Sequence, residues 1–359
     1  MAPKGSFENN FANYSEEAAS HILNKTKDGI SEKFEVKLRN FKTTKLQLLT
    51  TKMGSDIYHD STVYTGSAGL ALYYFMSSLG KNEVSHETLK NAIPYLDLEN
   101  LKGRKISFLC GDAGPLALAT VISYRLGSRK NELPDYKSLV QRLMALSSLL
   151  NDSPDEVLYG KSGYLFALLF VNKHIPGKEV IPSNHIEKAQ PYISMIELRS
   201  FIKPTLEWLI NHKFPSGNFP SSLGSGSGDR LVQWCHGAPG FVPLCLLAHK
   251  VFDDDNYLRI ALQCGEVIWE RGLSTKGYSI CHGVSGNAYA FIQLYQATKK
   301  PVHLYRACCF MEWCALERPG TELHAPDRPA SLYEGLTGRL YLAEDLLRVS
   351  EAKFPAFTL

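Results

Sequence analysis

The chain has 359 residues, 44% apolar and 21% charged, enough hydrophobic material for a large buried core. Its 39 basic and 36 acidic residues leave a formal charge of +3, too little for the electrostatic footprint of a nucleic-acid or polyanion binder. The opening MAPKGSFENNFANYSEE lacks the apolar core of a signal peptide, Ala2 excludes N-myristoylation, and no apolar run is long enough to span a bilayer, so a cytoplasmic location without a transmembrane segment is expected.

Residues 1–60 read as an N-terminal extension and a first outer helix. The first Gly-x-x-Gly, GSAG at Gly66, opens the run LALYYFM. GDAG at Gly111 opens PLALATVI, and GKSG at Gly160 opens YLFALLFV. GAPG at Gly237, GVSG at Gly283 and GLTG at Gly335 open FVPLCLLA, NAYAFIQLY and RLYLAEDLL. These runs are apolar nearly all round, which describes helices buried on both sides. Segments such as DYKSLVQRLMALSSLL and YLRIALQCGEVIW instead carry their apolar residues at helical spacing on one face. Each repeat is therefore an outer helix, a loop, Gly-x-x-Gly and an inner helix. Strand alternation is nearly absent. The expected class is all-α: one domain over 1–359 built from repeated hairpins. Wholly apolar inner helices favour a closed α/α toroid over an open solenoid, whose inner face would be wet.

The intervals between first glycines are 45, 49, 77, 46 and 52. The third is out of line. Two regular periods would fill about 96 residues, at two helices of roughly 15 residues with loops per period. The text there, SNHIEKAQPYISMIELRSFIKPTLEWLINHKF, holds no Gly-x-x-Gly, which places a junction with a lost repeat at about 187–200.

Of the eight cysteines, Cys245, Cys264, Cys308 and Cys314 read as core thiols. Cys235 and Cys281 differ because a histidine follows each, in QWCHGAPG and SICHGVSG. They occupy equivalent places in successive repeats, immediately before an inner helix, so duplicated geometry brings them together. Two thiolates and an imidazole suit zinc. His236 and His282 both stand beside a cysteine, so the residues allow a closed Cys2His2 site as well as an open three-ligand site. The bland alternative is two buried cysteines with incidental histidines. An open site could hold a substrate thiol as thiolate. Where it is not itself a ligand, His236 is a candidate proton donor or a hydrogen-bonding partner of the neighbouring ligand, and Asp112 reads as a turn or helix-capping residue.

The stretches FLCGDAGPLA, LYGKSGYLFALLF, WCHGAPG, KGYSICHGVSGNAYAF, LYRAC, SLYEGLTG and the terminal FPAFTL closely resemble the eukaryotic LanC-like proteins, relatives of bacterial lanthionine cyclases. The resemblance implies an α/α toroid of seven hairpins, of which six are recognisable here. It implies one zinc ion bound by Cys235, Cys281 and His282. Family members bind glutathione and add its thiol to dehydroamino acids or other electrophiles, so the implied partners are glutathione and electrophilic peptides or proteins. The residues matching the family's glutathione site are Lys276, the HAPD segment (His324, Ala325, Pro326 and Asp327) and Lys4. His324 stands where the family has Arg, which removes the planar fork of a carboxylate clamp. The family's His-Gly repeat has no match in the long interval; His185 and His212 lie there in another context. That departure favours a rival reading, a non-catalytic zinc- and glutathione-binding signalling protein. A sugar-processing α/α toroid is a third reading, but the chain offers no convincing carboxylate pair for it.

Overall fold

The computed structural model describes residues 5–52, 57–58, 60–80, 84–127, 133–177, 179–189, 198–224, 226, 228–316 and 326–358. Lys4, His324 and Ala325 lie outside these, as does most of the junction at 187–200. In chain order the described α-helices are α1 (Glu16–Ser20), α2 (Glu32–Lys52), α3 (Ser67–Ser78), α4 (His86–Lys90), α5 (Ala113–Leu126), α6 (Tyr136–Ala145) and α7 (Lys161–His174). They continue as α8 (Ser183–Ala189), α9 (Lys203–Ile210), α10 (Ala238–Phe252), α11 (Asp255–Arg271), α12 (Val284–Thr298), α13 (Pro301–Ala315) and α14 (Leu336–Leu347). The only β pairing among the described residues is isolated bridges, as the all-α reading requires.

The chain divides into two compact units, each drawn from more than one segment. The first comprises Met1–Lys52, Met195–Pro329 and Glu334–Ala352; the second comprises Met53–Ser194, Ala330–Tyr333 and Lys353–Leu359. In the second unit α3, α5 and α7 lie side by side, and α5 also packs on α6. The division into inner and outer helices is visible in burial. Helix α5 is buried from Ala113 through Ser123, whereas α6 buries only Leu139, Val140 and Leu143.

In the first unit α10, α12 and α14 form the inner row, backed by α11 on α10, α13 on α12 and α2 on α14. The last of these joins the first long helix to the last, with Lys42 paired to Glu344 in a partly buried contact. Residues 5–14 form an arm along the outer helices of this unit. Phe7 meets Trp313, Phe11 meets Trp269, and Tyr14 meets Tyr305 edge-on. Asn9 Nδ2 donates to Trp269 O at 2.6 Å, and Tyr305 donates its hydroxyl to Ala12 O at 2.9 Å.

The glycine motifs mark helix starts, as expected. Gly66, Gly160, Gly237, Gly283 and Gly335 are each the residue before an inner helix. At the second motif the helix begins after Asp112, whose carboxylate caps no helix amide and instead accepts from Gly103 N. Between α7 and α10 the described residues hold α8, a π-turn at Leu198–Ile202 and the short α9. Phe201 and Trp208 in this stretch are exposed.

Candidate metal centre

Cys235 and Cys281 sit two residues ahead of the glycines that start α10 and α12. The two turns are stitched directly, Cys235 N donating to Cys281 O at 3.1 Å. The sulfurs of Cys235 and Cys281 and a ring nitrogen of His282 all lie within 4.8 Å of one another. Tetrahedral zinc with Zn–S of about 2.3 Å and Zn–N of about 2.0 Å needs such atoms roughly 3.5–3.8 Å apart. Small side-chain adjustments therefore suffice.

The turns are fixed from outside. Gly237 has φ of +114° with Leu231 O and the Asn218 side chain against it, a position that excludes a side chain. Buried Asn218 caps α10, its Oδ1 accepting from Ala238 N at 2.8 Å while its Nδ2 donates to Leu231 O at 3.0 Å and Asp229 Oδ1 at 2.9 Å. Arg271 grips Asp229 through two 3.0 Å bonds. Burial alone would raise the Asp229 carboxyl, but hydrogen bonds from Arg271, Ser216 and Asn218 outweigh it and hold it low. Asn287 on α12 reaches the other way, donating to Val232 O at 2.9 Å and Gly272 O at 2.7 Å. Ser274 Oγ donates to His282 O at 3.2 Å and accepts Lys276 N at 3.1 Å.

The sulfur environments differ. The Cys281 thiol beside it, joined by Gln233 Nε2 at 3.2 Å, holds the Cys235 thiol below its ordinary value against the opposing effect of burial. Burial pushes Cys110, Cys245 and Cys264 up to about 12 and Cys314 up to about 11. Cys235 is thus the cysteine held toward its thiolate, with Cys281 as the neighbour that holds it there, while the cysteines pushed up by burial behave as core thiols.

His236 is outside the cluster and exposed. Its Nδ1 lies 3.1 Å from Ser221 O; a carbonyl only accepts, so Nδ1 carries the hydrogen and Nε2 is left to exchange a proton. His236 and Cys235 share the wall of a cleft of about 270 Å³. Lys276 is exposed on the loop leading to Cys281, and Thr275 N and Oγ1 each bond Gly5 O at 3.1 Å. Gly5 is therefore held against Thr275, the residue before Lys276. Pro326 and Asp327 are exposed. His185 belongs to other chemistry, its Nε2 lying 3.1 Å from the Tyr164 hydroxyl.

Sequence reasoning missed Asn218, Asn287, Gln233 and Ser274. Asn287 follows the GVSG glycines directly and was in view, but nothing local marks Asn218, which acts 20 residues downstream.

The family model described as Lanthionine synthetase C-like protein matches residues 58–197 and 184–359. Glutathione S-transferase LANCL1 of Danio rerio is 34% identical over 99% of this chain and 100% of its own length. LanC-like protein GCL1 of Arabidopsis thaliana is 28% identical over 85% of this chain and 82% of its own. Among solved structures, nisin cyclase superposes with a TM-score of 0.61 at 16% identity, covering 86% of this chain and 94% of that one. At that identity the likeness is one of fold, and it agrees with the α/α toroid class.

Proposed function

Because the chain belongs to the lanthionine synthetase C-like family, we propose that it binds one zinc ion and glutathione and adds the glutathione thiol to electrophilic carbon, including dehydroamino acids in peptides or proteins. The observation that carries this reading is the convergence of Cys235, Cys281 and His282 within 4.8 Å. Three ligands with His236 turned away leave a fourth position for a thiol. The relative named as a glutathione transferase supports the choice of thiol.

When bound, zinc supplies a site that keeps a substrate thiol deprotonated at neutral pH. Cys235, Cys281 and His282 would hold it. The chain's own residues do the rest. Lys276, on a loop fixed by Ser274 and Gly5, meets a glutathione carboxylate; Lys4, His324, Ala325, Pro326 and Asp327 complete that site by family resemblance. Nε2 of His236 takes up the thiol proton and returns it to the carbon left anionic after addition, a role that typically contributes 10²- to 10⁴-fold in rate. No helix of the described residues is long and apolar enough to cross a membrane, and a cytoplasmic site of action fits the thiol chemistry.

The rival, a zinc- and glutathione-binding protein without turnover, is favoured by two observations. The 77-residue interval carries the exposed Phe201 and Trp208, and the two family-model matches meet there, at 184–197. Both points support loss of one repeat and of its His-Gly pair. Timing thioether formation on a dehydroalanine peptide by mass spectrometry decides between them. The comparison is between this chain and a version with a complete repeat grafted between Ile186 and Leu198. Turnover by the native chain that disappears in His236→Ala with zinc retained supports the transferase. No turnover by the native chain, with glutathione still bound, leaves the rival.

A further inference from the structure

The cleft beside Cys235 has walls that glutathione chemistry does not explain. Its apolar lining is Leu209, Pro220, Leu223, Trp234, Phe241 and Leu244, beside the polar His212, Ser221 and Ser222, and among the described residues no Asp, Glu, Lys or Arg lines it. Glutathione, carrying two carboxylates and an ammonium, finds no carboxylate, ammonium or guanidinium among those described lining residues to pair with. Yet the lining includes Cys235 and His236, the proposed metal ligand and the proposed proton carrier. At about 270 Å³ the cleft is smaller than sites for drug-sized ligands, which start at about 300 Å³, so it suits one short chain rather than a length of folded peptide.

The surface also continues outward. Leu244, Leu247 and Val251 recur at spacings of three and four on α10 and so share one face. They are 39%, 60% and 41% exposed. An apolar track that begins in a cleft at a reactive site is the form a binding surface takes for an extended hydrocarbon tail. Phe219 stacks on Phe241 with ring centroids 3.5 Å apart, which backs the cleft with a rigid aromatic pair.

The geometry points to an acceptor subsite for α,β-unsaturated ketones or aldehydes bearing an unbranched alkyl tail, the tail lying on Leu244, Leu247 and Val251 and the double bond beside Cys235. The inference rests on the thiol-addition reading above. In the reaction the glutathione sulfur forms a bond to the β-carbon, and the π pair of the C=C bond moves to the α-carbon as enolate. The α-carbon then takes the proton released by the thiol. No oxidant or reductant is needed.

The test uses the full zinc-loaded chain and three probes: octan-2-one, which cannot react, and oct-3-en-2-one and but-3-en-2-one, which can. Octan-2-one binding is measured by titration calorimetry on the native chain and on Leu244→Asp and Leu223→Asp, two exposed positions where a charge leaves the core untouched. The expected result is saturable binding that each variant weakens at least tenfold. With glutathione, KM for oct-3-en-2-one should lie at least tenfold below that for but-3-en-2-one, since each buried methylene contributes about fourfold. The gap should close in both variants. Absent octan-2-one binding, binding that ignores both variants, or equal KM values overturn the subsite. Octan-2-one binding that the variants weaken, with neither enone consumed, supports the alkyl site and overturns the transferase reading instead.

Discussion

The turn at Gly111 in the second unit and the turn at Gly237 in the first are built alike and behave differently. Each carries a cysteine just ahead of its first glycine, and each opens an inner helix. Cys110 precedes its glycine by one residue, is alone, and is pushed up to about 12 by burial. Cys235 precedes its glycine by two, faces Cys281, and is held below its ordinary value. The supports differ too. Around Cys110 the fixing group is Ser107, whose hydroxyl accepts from Cys110 N at 3.2 Å and donates to Leu158 O. Around Cys235 it is Asn218 and Asn287, which tie that turn to α10 and to the next repeat. A repeat therefore supplies the stage many times over, and among the described residues two sulfurs and an imidazole converge where two neighbouring copies carry the cysteine in the same register.

The largest effect that would break this contrast is on metal content. Cys281→Ala should lose the bound zinc, while Cys110→Ala should keep about one per chain, both read by elemental analysis of purified protein. Equal retention in the two would remove the distinction between the turns. Next come the supports. Asn218→Ala should weaken zinc affinity about 10- to 100-fold, the range for groups that orient ligands, whereas Ser107→Ala should cost about 1 kcal/mol of stability and leave zinc affinity alone. A competition titration with a chromophoric chelator measures the first and chemical denaturation the second.

Acid should affect both units. Burial holds His174 down to about 3 in the second unit and His303 down to about 4 in the first. Below about 6.5 the unfolded chain takes up protons that these buried rings refuse, so stability falls as pH drops from that value toward the folded values. The slope is up to about 1.4 kcal/mol per pH unit for each ring. His174→Gln and His303→Asn should each flatten the denaturation midpoint between pH 7 and 5, and an unchanged slope in both would show that other groups govern acid sensitivity. The smallest effect is at the surface. Lys276→Gln should weaken glutathione binding about two- to fivefold at low salt, the worth of an exposed ion pair, and the difference should vanish at high salt. Calorimetry at two ionic strengths reads it.

What the sequence made legible was whatever repeats. The glycines announced the inner-helix starts, and the two Cys-His pairs announced their own juxtaposition through the 46-residue spacing of Gly237 and Gly283. The pattern could not choose between three ligands and four. The structure sets His236 apart from the Cys235, Cys281 and His282 group, on a contact with Ser221 O that no spacing encodes. Asn218 was invisible for the same reason: its partners at 229, 231 and 238 are brought to it by a loop with no periodicity. The cleft is likewise assembled from three separate stretches, α9, the loop after it and α10, each unremarkable alone.

The arm of residues 5–14 has a consequence for how the chain is made. Its aromatic rings rest on Trp269, Tyr305 and Trp313, and the Asn9 bond to Trp269 spans 260 residues. A ribosome adds about 5–20 residues per second, so Phe7, Phe11 and Tyr14 wait roughly 13–60 s before their partners exist. For that time the nascent chain displays three aromatic side chains whose native partners have not yet been made. Docking of the arm onto α11 and α13 is then among the last events of synthesis, and it comes only after the Cys281 turn, which lies between those helices, has been made.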